Sequence, residues 1–253
     1  MAIIIRVLTR ADVPEARRIF ALGMMQTITA GARTGKLACV AFALAALAAA
    51  GARALAGRVG IESPRPAAVV CAVAAFSLAF FGWPRHIAHA YVSKSLGDDM
   101  KDPVARYVES LHAGNFWVAY DTDEERVVGT VALEPPDPSG GTKSMSAKSM
   151  SAKHQGGDDP HSPWNAGAGD GELRRMSVVP SHRGKGISKR LFGALWKHAR
   201  ESKKFSRVVL STSEMQASAC QLYPNLGFQV VKEIQLPHTL LPLIKVFYFS
   251  KAM

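Results

Sequence analysis

The sequence predicts an α/β fold built on a mixed sheet, and three observations lead to that prediction. Strand-like and helix-like segments alternate through the second half of the chain, as in sheets that contain a βαβ crossover. The 253 residues are 48% hydrophobic and 20% charged, which is enough apolar content for one sizeable packed domain. Two long apolar runs near the start indicate an insertion into that domain.

The N-terminal segment predicts a strand followed by a helix. Residues 3–8 form a β-branched apolar run of the kind that strands prefer. Thr9 and Asp12 are candidate N-caps for the next element, and Pro14 lies where a first helical turn accepts proline. Apolar residues at helical spacing continue this helix to about Met25.

The two apolar runs predict a helical hairpin in a membrane. Residues 37–52 and 67–83 contain no charge, and each run approaches the roughly 20 residues that span a bilayer. Both runs are apolar all round, without a polar stripe to face water. A pair of buried core helices is the alternative, because each run is slightly short. A transmembrane and a re-entrant hairpin both return the chain to the side that it left.

These segments divide the chain into three parts. Residues 1–33 hold the first strand and helix, residues 34–85 the membrane hairpin, and residues 86–253 the rest of the α/β domain. Within the last part, residues 134–169 are rich in Pro, Gly, Ser and Asp and repeat the segment Lys-Ser-Met-Ser-Ala. This composition predicts a disordered surface loop.

The remaining elements follow the same alternation of strands and helices. Strands are predicted at 115–120, 126–133, 172–179, 207–212, 228–235 and 244–250, and helices at 102–111, 186–203 and 215–225.

The net charge of +11 is concentrated in one stretch. Residues 170–205 contain ten basic residues against three acidic ones, which indicates a local anionic ligand. Nucleic acid is not expected as that ligand, because aromatic residues do not interleave with the basic ones and no known nucleic-acid-binding signature is present. His154 and His161 lack metal-ligand spacing, so no metal site is predicted.

The strongest local motif is the segment 178–188, Val-Val-Pro-Ser-His-Arg-Gly-Lys-Gly-Ile-Ser. A strand enters a glycine-rich basic loop, and a helix begins at once, which is how backbone N–H groups and a helix dipole bind a pyrophosphate. Gly184 and Gly186 permit close approach of the backbone, while Arg183 and Lys185 supply positive charge. A helix entrance with two solvated cations is the alternative reading of the same residues.

At this point the sequence resembles the GNAT acetyltransferases. Residues 183–188 are similar to their acetyl-CoA signature, Arg/Gln-x-x-Gly-x-Gly/Ala, with Ser188 where Gly or Ala is usual. Residues 222–228 are similar to the family's Leu-Tyr-x-x-x-Gly-Phe element, with an unusual Pro224 inside the helix.

A narrower resemblance is to the camello-like N-acetyltransferases, which include N-acetylaspartate synthetase and cysteine-S-conjugate N-acetyltransferase. The shared segments are Ala-Arg-Arg-Ile-Phe at 16–20, Phe-Trp-Val-Ala at 116–119 and Arg-Met-Ser-Val at 175–178. A hydrophobic membrane segment follows the first of these segments in that family.

The resemblance implies a GNAT fold interrupted by the hairpin, with acetyl-CoA as acetyl donor and no metal. The backbone of Val178 and Val179 would hold the pantetheine arm, and an N–H there would stabilise the oxyanion. The expected acetyl-CoA contacts are Val178, Val179, Arg183, Gly184, Lys185, Gly186, Ile187 and Ser188.

The same resemblance implies two catalytic residues. Glu172 matches a carboxylate general base, and Tyr223 matches a general acid for the departing thiolate. Period-two alternation would place Glu172, Arg174, Met176 and Val178 on one face of their strand. An ion-paired edge glutamate and an ordinary half-buried tyrosine are the alternatives.

The expected function is therefore N-acetylation of an amino acid or amino-acid conjugate, aspartate-like or a cysteine S-conjugate. The resemblance places it at a membrane, with the endoplasmic reticulum expected and the catalytic domain facing the cytosol. Lysine acetylation on proteins, or a catalytically weak acyl-CoA-binding membrane scaffold, are the other readings. The acceptor and the oligomeric state are open from sequence.

Overall fold

A mixed sheet with helices on both faces organises the computed structural model. The structure describes residues 2–32, 83–110, 114–135, 169–235 and 245–253, together with scattered positions between 43 and 75. The strands in these residues are β1 (Ile3–Val7), β2 (Asn115–Asp121), β3 (Arg126–Glu134), β4 (Asp170–Val178), β5 (Arg207–Ser213), β6 (Gln229–Gln235) and β7 (Lys245–Ala252). The longer helices are α1 (Val13–Ala32), α2 (Trp83–Gly97), α3 (Ile187–Ser202) and α4 (Ala217–Asn225).

Short helical turns complete the described elements. Arg10–Asp12 and Pro180–His182 are 3₁₀ turns, and Val104–Val108 is a π-helical segment. The chain divides into two compact units, one formed by residues 1–24 and 91–253 and the other by residues 25–90.

The sheet order is β1-β2-β3-β4-β5-β7-β6, and all neighbours are antiparallel except β4 and β5. Helix α3 connects these two parallel strands, as a crossover between parallel neighbours requires. The predicted mixed sheet with a βαβ crossover is thereby confirmed.

The two faces of the sheet carry different helices. On one face, α3 covers β2, β3 and β4, and the Trp117 ring lies 5.2 Å from the ring of His198 on α3. On the other face, Tyr107 of the π-helical segment packs edge-on against Phe116 at 5.6 Å. The Ser177 hydroxyl of β4 donates to the Ile19 carbonyl of α1 at 3.3 Å on this second face.

A β-bulge interrupts β4. Thr130 pairs with Ser177 and Ala132 with Arg174, so Arg175 and its successor together oppose one residue of β3. Arg175 has a φ of +56°, and the Thr130 hydroxyl donates to its carbonyl at 2.7 Å. Because of this extra residue, the side chains after the bulge lie on the opposite face of the sheet from the one that strict alternation would give them.

The bulge corrects the predicted alternation along β4. Glu172 lies opposite Glu134 on the face of α1, whereas Val178 lies opposite Gly129 on the face of α3. A Cβ built on Gly129 would meet both Val178 and Leu191 of α3 within 3.4 Å, which places Val178 on that face. The prediction that Glu172 and Val178 share a face was wrong, because period two fails at a bulge.

Arg175 is held at the bulge by a buried ion pair. Its Nε donates to Asp99 Oδ2 at 2.7 Å and its Nη2 to Oδ1 at 2.5 Å, and Tyr107 donates to the same carboxylate. Its guanidinium also lies 4.6 Å above the Phe20 ring. Burial alone would raise the pKa of Asp99, but Arg175 and neighbouring hydrogen bonds hold that pKa below its usual value.

Several element boundaries differ from those predicted. Helix α1 continues to Ala32 instead of ending near Met25, and α2 was not predicted because its sequence has no clean apolar stripe. The helix predicted at 102–111 is the shorter segment Val104–Val108.

The predicted membrane hairpin and surface loop fall largely outside the described residues. Only scattered positions of 34–82 and the ends of 134–169 are described. Among the described residues, no helix has both the length and the apolar character needed to cross a bilayer.

Replacing Asp99 with Asn should lower the free energy of unfolding by about 3–5 kcal/mol, because it leaves the buried Arg175 without its counter-ion. Because the folded-state pKa of Asp99 is depressed, the pair contributes at neutral pH and is lost as pH falls below about 4. Urea denaturation of the detergent-solubilised protein at pH 7 measures the change.

Glu15→Gln is the matched control for this prediction. Glu15 accepts from Arg18 at 2.9 Å on the exposed side of α1, so its loss should change stability by less than about 1 kcal/mol. Equal losses in the two variants would contradict the importance assigned to the Asp99 pair.

Candidate active site

The site begins where β4 and β5 separate. The two strands pair only over Asp170–Glu172, with Arg207–Val209 as partners. Beyond Glu172, β4 pairs with β3 alone and β5 with β7 alone. Glu172 therefore stands at the apex of a wedge between two strands whose facing backbone edges no longer pair.

The backbone of Val178 points into this wedge. The Val179 N–H donates to the Val128 carbonyl at 2.9 Å, so it is engaged with β3. Since backbone groups alternate along an antiparallel strand, those of Val178 point away from β3, toward the gap. Arg183 Nε donates to the Val178 carbonyl at 3.0 Å, which confirms that direction. Of the two predicted valines, Val178 is the one whose N–H points away from β3, toward the wedge.

The glycine-rich loop has left-handed backbone at both glycines and is open on one side. Gly184 and Gly186 both have a φ of +76°, and Gly186 is the N-cap of α3. A Cβ built on either glycine would meet no atom within 4 Å, so this side of the loop is open. The first N–H groups of α3, at Ile187 and Ser188, have no partner within the helix because the residues four positions earlier lie before the helix begins. The loop therefore fits a diphosphate, and acetyl-CoA supplies one together with an acetyl thioester.

A buried histidine fixes the entrance to this loop. His182 Nε2 lies 3.0 Å from Asp121 Oδ2, and His182 Nδ1 lies 2.9 Å from the Ser181 hydroxyl. The other Asp121 oxygen accepts the backbone N–H groups of Asp123 and Glu124, which ties the loop to the β2–β3 turn.

Sequence reasoning gave His182 no role, because 61 residues separate it from Asp121 and no local pattern joins them. With Glu124, these side chains form a three-residue group in which each offers a ligand atom within 4.8 Å of the others. Within this group, His182 Nε2 and Asp121 Oδ2 already form a hydrogen bond with each other.

Glu172 is a buried carboxyl beside a cation. Its side chain lies opposite Glu134 of the neighbouring strand β3. Arg174 follows two residues later on the same face of the sheet. Burial raises the pKa of Glu172 above its usual value, and the charge of Arg174 opposes that shift. A carboxyl with a raised pKa is better matched to accepting a proton from an amine.

Tyr223 is positioned by the C-terminus of α4. The Phe228 N–H donates to the Tyr223 carbonyl at 3.0 Å and the Gly227 N–H to the Pro224 carbonyl at 2.9 Å. Gly227 has a φ of +84°, so these bonds form a Schellman motif. The Tyr223 ring packs edge-on against Phe228 at 5.7 Å, which is the contact that accompanies this cap. The Leu-Tyr-x-x-x-Gly-Phe pattern is thus the sequence of a helix cap that orients the tyrosine.

Tyr223 lies on the α3 face of the sheet, opposite to the face of Glu172. Its partner Phe228 lies 5.4 Å from Phe192 of α3, on the α3 face of the sheet. Burial raises the pKa of Tyr223, and the neighbouring Tyr91 adds to that effect, so the phenol stays protonated at neutral pH. The Tyr91 hydroxyl in turn accepts a hydrogen bond from Nη1 of Arg175 in the bulge at 3.3 Å.

The two arginines that follow Glu172 on β4, Arg174 and Arg175, are both paired. Arg175 is committed to Asp99, as described above, and its side chain is 6% exposed. Arg174 Nη1 donates to Glu134 Oε2 at 2.7 Å, and Glu134 also binds Arg106 at 2.6 Å.

Comparison with known proteins assigns the family. Residues 81–228 match the family model described as acetyltransferase (GNAT) family. The chain therefore belongs to the GNAT acetyltransferases, enzymes whose acetyl donor is acetyl-CoA, and the predicted enzyme class is confirmed.

Within that family the chain is similar to camello-like enzymes, as predicted. It is 35% identical over 144 residues to mouse N-acetyltransferase 8, covering 56% of this chain and 50% of that protein. It is 34% identical over 139 residues to human N-acetyltransferase 8B, covering 55% and 48%. The chain spans about half the length of the curated relatives it matches.

A solved structure supports the fold. The PaiA N-acetyltransferase of Thermoplasma acidophilum, in complex with coenzyme A, superposes with a TM-score of 0.55 and 13% identity, covering 100% of both chains.

Replacing Gly186 with Ala should raise KM for acetyl-CoA about five- to thirtyfold, because a Cβ in the left-handed region costs roughly 1–2 kcal/mol. Initial rates at varied acetyl-CoA measure this, and kcat should change little.

Gly193→Ala is the matched control for this loop variant. Gly193 lies within α3 without a positive φ, and a Cβ there would meet no atom within 4 Å. Similar KM values for the two variants would contradict the role assigned to the loop.

Proposed function

We propose that this enzyme acetylates the primary amine of an amino acid or amino-acid conjugate at a membrane surface. The observation that carries the proposal is Glu172, a buried carboxyl at the apex of the wedge, on the strand that leads to the open loop. The similarity to N-acetyltransferase 8 proteins supports amine acetylation as the reaction.

The chemistry follows from the positions of three groups. The amine nitrogen forms a bond to the thioester carbonyl carbon, and the carbon–sulfur bond breaks. Glu172 accepts the proton that the amine loses, and the Val178 N–H stabilises the developing oxyanion. Tyr223 donates its phenol proton toward the departing sulfur, and solvent returns a proton to it.

The membrane part of the proposal rests on sequence. The uncharged runs at 37–52 and 67–83 have the composition of a membrane hairpin and approach the length that spans a bilayer. We propose the endoplasmic reticulum as the membrane, with the catalytic domain on the cytosolic side.

Glu172→Gln should lower kcat at least about a hundredfold while leaving KM for acetyl-CoA within about twofold, because the base touches only the acceptor. In the native enzyme kcat/KM should rise with pH until the raised pKa of Glu172 is passed, and the variant should lose that rise. CoA release, followed with a thiol reagent across pH, measures both.

Tyr223→Phe tests the acid in the same assay. It should reduce kcat about ten- to hundredfold, because only the phenol proton is removed and the ring contacts with Phe228 remain. Glu233→Gln on exposed β6 and Tyr120→Phe on β2 are the matched controls. If both site variants turn over as fast as the native enzyme, the site assignment fails.

The acceptor class is decided by a panel in that assay. Free amino acids, S-conjugated cysteines and lysine peptides are each supplied with acetyl-CoA. CoA release should depend on a free amino acid or on an S-conjugated cysteine. CoA release with lysine peptides alone would indicate that the enzyme acetylates lysines of proteins. Binding of acetyl-CoA without CoA release for any acceptor would indicate a catalytically weak acyl-CoA-binding scaffold.

Alkaline carbonate should leave the protein in the membrane pellet, whereas a variant lacking residues 37–83 should appear in the supernatant. The physical reason is that an inserted hairpin is held by apolar burial, which neither salt nor alkali removes. Extraction of the intact protein by salt alone would overturn the membrane proposal.

A further inference from the structure

The charged side chains around Glu172 are paired unequally. Glu134 binds two guanidinium groups and Asp99 binds a third. In the described part of the chain, neither a hydrogen bond nor an ion pair joins the Glu172 carboxyl to another residue, although that side chain is buried. The charges of this cluster balance overall, but their pairing leaves out the candidate base. The members of the cluster are Arg106, Arg174, Arg175, Asp99, Glu134 and Glu172, with the Tyr107 phenol bonded to Asp99.

Arg174 lies beside two carboxyl groups and binds only one of them. It follows Glu172 by two residues on β4, and its partner across the ladder is Ala132, two residues from Glu134. Long side chains at such diagonal positions on neighbouring strands reach each other. The Arg174 Nη1 atom donates to Glu134 Oε2 at 2.7 Å, whereas its charge acts on Glu172 without a hydrogen bond.

Glu134 is the group that holds the Arg174 guanidinium in this position. Its other oxygen, Oε1, lies 2.6 Å from Arg106 Nη2, so one carboxylate bridges two cations. Its side chain is 15% exposed, and hydrogen bonds between charged groups are the strong ones in such a place. Arg174 is thereby directed toward β3, which leaves the Glu172 carboxyl unpaired.

An unpaired carboxyl suits a general base. Burial raises the pKa of Glu172, Arg174 acts against that shift, and the negative charge of Glu134 adds to it. Arg175 lowers and Asp99 raises the same pKa, and these two groups are bound to each other. A direct ion pair between Arg174 and Glu172 would stabilise the carboxylate and make it a weaker base.

We propose that Glu134 is a positioning residue for the candidate base: by binding Arg174 and Arg106, it keeps the Glu172 carboxylate free to take the proton of the acceptor amine. The inference rests on the proposed function, because it takes Glu172 as the base. The proton passes from the amine nitrogen to a Glu172 oxygen as the carbon–nitrogen bond forms, and Glu134 itself takes no proton.

A purely structural ion pair predicts a different result. If the bond between Glu134 and Arg174 only stabilises the fold, removing either partner should have the same effect on the enzyme. If Glu134 controls the charge beside the base, removing the carboxylate and removing the guanidinium should shift the titration of Glu172 in opposite directions. The direction of the shift therefore separates the two roles.

The test titrates the Glu172 carboxyl by infrared difference spectroscopy, using the full-length detergent-solubilised protein with the Glu172→Gln variant as the blank. Glu134→Gln should move the midpoint to lower pH by about one pH unit or more, because it releases Arg174 toward Glu172 and removes a negative charge. Arg174→Met should move the midpoint to higher pH by about as much, and in that variant Glu134 keeps its bond to Arg106.

The same variants are assayed for turnover with an S-alkyl cysteine as the acceptor. The pH at which kcat/KM rises should move with the infrared midpoint, and Glu134→Gln should lower the plateau about three- to tenfold because its base is weaker. The acceptor amine titrates identically in every assay, so a difference between proteins belongs to the enzyme. Glu109→Gln, which removes an exposed carboxylate 2.7 Å from Arg10, is the matched control and should behave as native.

The outcomes distinguish this inference from the proposed function. Midpoints that do not move, or that move in the same direction in both variants, would overturn the role of Glu134 and leave Glu172 as the proposed base. Opposite shifts that kcat/KM fails to follow would overturn Glu172 as the base, and the inference with it. If Glu134→Gln does not fold, the upward shift expected for Arg174→Met still decides the question.

Discussion

The separation of β4 from β5 is the constraint on which the remainder of the site depends. The two strands pair over three residues. Beyond the bulge at Arg175, the last residues of β4 pair only with β3. A non-glycine residue at positive φ is unfavourable by itself, and the Asp99 ion pair offsets that cost. Without the bulge, the backbone of Val178 would be paired within the sheet instead of directed into the wedge.

The wedge explains why the two candidate catalytic residues lie on opposite faces of the sheet. Glu172 precedes the bulge and faces α1, where Arg174 and Glu134 carry charges close to it. Tyr223 comes from the α3 face, held by the cap that ends α4. In the proposed reaction, a thioester between the separated strands would meet the base on one side and the acid on the other.

Much of the fold was predictable from sequence because its signals are local. Strand and helix patterns placed nearly every described element within a few residues, and the motif at 183–188 predicted the loop that the structure shows. Helix α2 was missed because it has no clean apolar stripe, and the face of Val178 was wrong because a bulge leaves no mark in the hydrophobic pattern.

The sequence by itself determined the family and the acetyl donor, since each is carried by residues adjacent in the chain, and it proposed Glu172 and Tyr223 as base and acid. Only the tertiary structure decided how those residues are used. The pairing of Arg175 with Asp99, of His182 with Asp121, and of Arg106 with Glu134 joins residues 76, 61 and 28 positions apart. Such contacts depend on sheet register and helix packing, which no short stretch of sequence specifies.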